Sequence, residues 1–152
     1  MYEQYYQTRK KAALKLYTER PLIYSAFFKD YIFLGSEGFR HLSISATGER
    51  SREEQVQRFT ALRLAIYILE TATKLRSYRK RFVAPASGNH LSPRRTKVQW
   101  WKFTKFFRSE GVRVHVVVRK VGNGKIHFWS VMLNTNGMSP PPNLASLASQ
   151  WE

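Results

Sequence analysis

His41 and His115 are the two histidines of this chain that sit among arginines: Arg40 precedes the first, and Arg113 and Arg119 flank the second. Lys125 and Ser130 follow a few residues on. Cutting RNA without metal requires a base for the 2′-hydroxyl, cations for the charge that builds on the phosphorane, and an acid for the leaving oxygen. His41, His115, Arg113, Arg119, Lys125 and Ser130 supply those groups. The clustered carboxylates of a two-metal nuclease are lacking, so no metal and no cofactor are expected. His90 lies in a loop and His127 near a hairpin tip, and neither is assigned a part.

The charge of the chain points the same way. Its 152 residues hold 26 Lys and Arg against 10 Asp and Glu, a net charge of +16. Such self-repulsion is tolerated most often where a polyanion neutralises it. From Thr71 to Ser109 there is no acidic residue, and rings are interleaved with the cations. Arg79, Lys80, Arg81, Arg94, Arg95, Lys97 and Lys102, together with Arg40 and Lys125, are candidate phosphate contacts. Trp101 is a candidate stacking platform for unpaired bases. With 43% hydrophobic residues the chain has material for a core, and its length suits one domain. The absence of cysteine excludes disulfides and thiolate metal sites. No window reaches the ~18 apolar residues of a membrane span, and a cytoplasmic site of action with no membrane contact is expected.

The elements that would position these groups can be read from periodicity and turn signals. Tyr2 to Thr18 reads as an amphipathic helix, ended by Arg20-Pro21. Leu22 to Leu34 reads as two short strands, and Phe39 to Ser43 as a short helix carrying Arg40 and His41. Ser51 and Glu54 form a capping-box signature for a helix bearing Val56, Phe59 and Leu62, and a further helix is expected from Leu64 to about Lys74. Tyr78 to Lys97 reads as a long basic loop. Three strands follow, near Lys97–Phe107, Val112–Val121 and Ile126–Leu133, with turns at Ser109-Glu110-Gly111 and Asn123-Gly124. Residues 1–135 form one domain in this reading, and 136–152 a proline-rich tail.

A two-residue turn at Asn123-Gly124 fixes the last hairpin's register. Arg119 then faces Phe128, Val117 faces Ser130 and His115 faces Met132. The core face holds Val112, Val114, Val116, Val118, Trp129, Val131 and Leu133, with His127 beside Trp129. The other face holds Arg113, His115, Arg119, Phe128 and Ser130. That face lacks a carboxylate, which favours phosphate binding over simple solvation.

Three stretches resemble the phage-associated barnase/EndoU/colicin/RelE-like nucleases. Phe33-Leu34-Gly35-Ser36-Glu37-Gly38-Phe39-Arg40-His41-Leu42 is similar to their strand followed by a G-x-R/N-H-[IL] segment. Gly111 to Lys120 with Gly122 to Val131 looks like their closing V-R-V…G-N-G…F-[WY]-S-V hairpin. Arg58 to Ala65 resembles the intervening helix, with Arg63 where proline is common. The resemblance covers about Ile23 to Leu133 and implies an α+β, barnase/RelE-like fold: N-terminal helices packed on one face of a small antiparallel β-sheet, with RNA cleaved on the other. It implies a toxin or effector, often with a cognate antitoxin or immunity protein, here expected to be acidic. It places the suspected active groups on His41, Arg119 and Ser130, with His115 and Arg113 as further candidates from the hairpin face. The competing reading is a nucleic-acid-binding protein of a phage or mobile element that uses the same basic face without catalysis.

Overall fold

A computed structural model describes residues 2–83, 95–108 and 111–134. Helix α1 (Tyr2–Glu19) leads into strands β1 (Leu22–Ser25) and β2 (Asp30–Phe33), then helix α2 (Ser36–Ser43). A minimal ladder of β3 (Ile44–Ser45) and β4 (Gly48–Glu49) precedes helix α3 (Arg52–Thr71). Strands β5 (Ser77–Val83), β6 (Thr96–Phe107), β7 (Val112–Val121) and β8 (Ile126–Asn134) complete the fold. The main sheet is six-stranded, in the order β1-β2-β8-β7-β6-β5.

The fold is α+β, as the sequence indicates, but the sheet is mixed where an antiparallel one was expected. Strand β2 runs parallel to β8, paired at Phe33 and His127. The pairing is non-local, and no local sequence signal records it. The sheet's core face is covered by α3, whose Phe59, Leu62, Ala65, Ile66 and Leu69 are buried, and α1 packs on α3, where Tyr6 meets Phe59. Val112, Val114, Val116 and Val118 are wholly buried on the sheet side of this core.

Three local expectations are corrected. The two helices expected between Ser51 and Lys74 are one continuous helix, because no glycine or proline interrupts it; Ser51 caps it, its Oγ accepting the Glu54 N–H at 3.1 Å. Residues 78–83, read as loop, belong to edge strand β5, exposed along its whole length and rich in Arg and Lys. Cationic side chains suit a sheet edge because they oppose pairing with another chain. The last turn is closed by the Gly124 N–H donating to the Val121 carbonyl at 2.9 Å, with Gly122 at φ 55°, so Gly122-Asn123 is the centre of the turn and not Asn123-Gly124. Ser109, Glu110, His90, Arg94 and the 136–152 tail lie outside the described residues. Among those described, no helix is long and apolar enough to cross a membrane.

Candidate functional site

The shifted turn changes what the hairpin displays. Lys120 faces Ile126 and Arg119 faces His127, one residue from the expected partner. Val118 then faces Phe128 while Val117 faces Ser130, so Trp129 is an extra residue in β8, a β-bulge. The two irregularities cancel beyond this point, and His115 faces Met132 as the sequence suggested. Between them, however, the faces are exchanged. Phe128 is fully buried against Tyr17, and Trp129 and His127 join Arg119 on the open face.

Helix α2 brings His41 to this place. Gly38 makes the approach possible: a Cβ there would lie 2.4 Å from the Phe128 carbonyl oxygen. With α2 seated on β8, the His41 and Trp129 ring centroids are 3.9 Å apart. The Arg119 guanidinium carbon lies 3.6 Å from the Trp129 centroid. Arg119, Trp129, His127, Lys125 and Glu37 line one cavity of about 260 Å³. An adjoining one, about 230 Å³, is lined by Glu37, Arg40 and His41.

Burial pushes the His41 pKa down, and Arg50, Arg119 and Arg40 add to this while Glu37 opposes it. Burial also lowers His127, with Arg119 and Lys125 acting in the same direction. Both imidazoles are therefore neutral near pH 7 and can accept a proton. Burial lowers the pKa of Arg119 as well, against the pull of Glu37. A half-buried guanidinium, poor in water contacts, is prepared to receive an anion.

A part-buried relay supports the site. Arg58 donates from Nη1 to the Val131 carbonyl at 2.6 Å and to Ser130 Oγ at 3.3 Å, and from Nη2 to Glu54 at 3.2 Å. Glu54 also accepts from Arg50 at 2.8 Å, and Arg50 Nε donates to the His41 carbonyl at 3.0 Å. One carboxylate thus ties the strand segment of Ser130 to the helix turn of His41.

Of the sequence-derived candidates, the structure gathers His41, Arg40, Arg119 and Lys125, and it holds Ser130 on the same face beyond Trp129. His115 and Arg113 share that face but lie four and six residues down β7, about 13 and 20 Å from Arg119. His115 Nδ1 is 2.8 Å from Thr104 Oγ1, and Arg113 stacks over Phe106 at 5.4 Å, so neither belongs to the His41 cluster. Arg79 and Lys102 line a further open-face cavity with Trp100 and Ser130, and Arg81 lies on the same face of β5. Arg95 is exposed just ahead of β6. Trp101 is corrected: it pairs with buried Val118 and packs on Phe28 and Tyr78, on the helix side of the sheet. Its neighbour Trp100 takes the open face, under the Arg79 guanidinium at 4.5 Å. Lys80 and Lys97 alternate to the Trp101 side as well. The sequence reading missed Glu37, Trp129, His127 and the Arg58–Glu54–Arg50 relay. The i,i+4 spacing of Glu37 and His41 on one helix was an available signal.

Compared with known protein families, curated proteins and solved structures, the chain matches none.

Proposed function

We propose that the protein is a metal-independent endoribonuclease of the barnase/RelE-like kind, working on single-stranded RNA across the open face of its sheet. The observation that carries this reading is the meeting of Arg119, Trp129 and His127 at one cavity, with His41 resting against the Trp129 ring from the adjoining one. Arg119 offers a planar fork to two phosphate oxygens, its orientation set by stacking on Trp129. Neutral His41 takes the 2′-hydroxyl proton as that oxygen attacks phosphorus. The P–O5′ bond breaks, and the departing oxygen is protonated by His127, which the bound phosphate's negative charge returns to its cationic form. The products are a 2′,3′-cyclic phosphate and a free 5′-hydroxyl.

The arginine–ring pairs Arg79/Trp100 and Arg113/Phe106 continue the cationic, aromatic surface away from the centre, and they suit neighbouring phosphates and unpaired bases. The reading includes toxin or effector action, with an acidic inhibitor able to cover the same face. Incubation with labelled RNA in EDTA tests it. Cleavage supports the enzyme, whereas retention without cleavage would leave a nucleic-acid-binding protein of a phage or mobile element.

A further inference from the structure

Next to the Arg119 cavity, and sharing Gly124 and Lys125 with it, lies a second cavity of about 350 Å³ on the β1–β2 side of the open face. Its lining is chemically different. Tyr31 and Phe33 contribute rings, Asp30 a carboxylate and Lys120 an amine, and Lys125 stands at the junction, its Nζ 4.4 Å from the Phe33 centroid. Two ring pairs flank it: His127 and Phe33, 5.6 Å between centroids, on the catalytic side, and Tyr31 with Tyr24, edge-on at 5.4 Å. Tyr31 is 50% exposed and Tyr24 52%, so both rings are open to a ligand.

We infer that this cavity is a nucleobase subsite, taking the unpaired base next to the scissile phosphate; the inference rests on the ribonuclease reading of the Arg119 site. The Asp30 carboxylate is an unfavourable neighbour for a phosphate and offsets one of the two lysines, Lys120 and Lys125, that line the cavity. A base would find ring faces to stack on and an acceptor for its amino group. Asp30 is held for this task, one oxygen accepting the Tyr31 N–H at 2.7 Å, and a carboxylate retains further acceptor sites. Adenine, cytosine and guanine carry an exocyclic amino donor; uracil presents carbonyls there and is disfavoured. Lys125 marks the boundary, able to reach the phosphate on one side while its charge lies over Phe33 on the other.

The test uses DNA oligonucleotides with a single ribonucleotide, the bases on either side of it varied, cleaved by wild type, Tyr31→Ala, Tyr31→Phe and Asp30→Asn. Tyr31→Ala should raise KM about tenfold, the loss of one base stack, and Tyr31→Phe should restore it. Asp30→Asn should erase the preference against a neighbouring uracil. Tyr5→Ala, an exposed ring on α1, serves as the control and should leave KM at the wild-type value. Circular dichroism shows whether each variant is folded, and Asp30→Asn keeps the question open to measurement if Tyr31→Ala is not. Wild-type KM and base preference in both Tyr31→Ala and Asp30→Asn, with cleavage intact, would overturn the subsite and leave the enzyme reading standing. Absence of cleavage by the wild type would overturn both.

Discussion

The Arg119 guanidinium lies over the Trp129 ring at 3.6 Å because Trp129 is the one residue of β8 without a partner in β7. A regular ladder would alternate Trp129 to the side opposite Ser130. The bulge instead turns the indole to the face where His41 also rests on it, 3.9 Å between centroids. Arg119→Ala should fold normally and lose cleavage by about 10²–10³-fold, the scale for one charge-stabilising group. Arg119→Lys should recover little, since an ammonium provides neither the fork nor the planar stack. Melting curves and cleavage rates for the two variants check this.

His41→Ala should keep the fold and lose on the order of 10²–10⁴-fold in cleavage, as expected for a general base. The acid limb of the kcat/KM profile should lie below the ordinary histidine value of 6.5, because burial and the surrounding arginines depress His41. Neutralising Arg40 or Arg50 removes part of that depression and should move the limb upward. A profile measured for Arg40→Gln gives the comparison.

The same depressed histidines couple stability to pH. His41, His115 and His127 all have folded-state pKa values lowered from 6.5, burial being the largest cause in each. Below pH 6.5 the unfolded chain takes up protons that the folded chain resists. Stability should therefore fall as the pH drops from 6.5 through the folded pKa values, and be flat above. Bound polyanion offsets the surrounding cations and should reduce the acid loss. Tm against pH, with and without an uncleavable 2′-deoxy oligonucleotide, measures both effects.

Gly38→Ala tests the seating of α2. In an open helix this change gains up to about 1 kcal/mol of helix propensity. Here the new methyl would meet the Phe128 carbonyl oxygen at 2.4 Å, and backbone cannot give way as a flexible side chain can. Overpacking of this kind typically costs about 1–3 kcal/mol, so the clash should outweigh the propensity gain. Tm and cleavage should fall together, since the displaced helix carries His41.

Arg58→Met keeps side-chain bulk but removes the donors to the Val131 carbonyl and Ser130. Leaving a buried acceptor unpaired costs about 1–3 kcal/mol, to be read from chemical denaturation. Arg58 does not line the Arg119 cavity, so cleavage should be reduced and not abolished. Ser130→Ala, which leaves the Val131 bond in place, should separate support from chemistry.

Much of this frame was legible because its signals are local. The alternating valines of β7, the Ser51 cap and the proline after Arg20 each act within a few residues. What escaped depends on contacts distant in sequence. The parallel contact of Phe33 with His127 has no local signature. The arginines and lysines of β5 read as loop because an exposed edge strand has no buried face to print an alternation. The bulge was hidden for a different reason: a shift at the turn and an extra residue at Trp129 cancel, so the pairing beyond the bulge held while His127, Phe128 and Trp129 changed faces. The site fell in that interval. His41 and Arg119 could be proposed from their types, but Trp129, which joins them, read as core.

The most direct test of the central claim is the chemistry of the cut end. An oligonucleotide carrying one ribonucleotide in a DNA strand is incubated with the protein in EDTA, and the products are weighed by mass spectrometry. Attack by the 2′-hydroxyl predicts a single cut after the ribonucleotide, leaving a 2′,3′-cyclic phosphate and a 5′-hydroxyl, absent with His41→Ala and with an all-DNA strand. An intact oligonucleotide, or cleavage that His41→Ala leaves at the wild-type rate, would contradict the account.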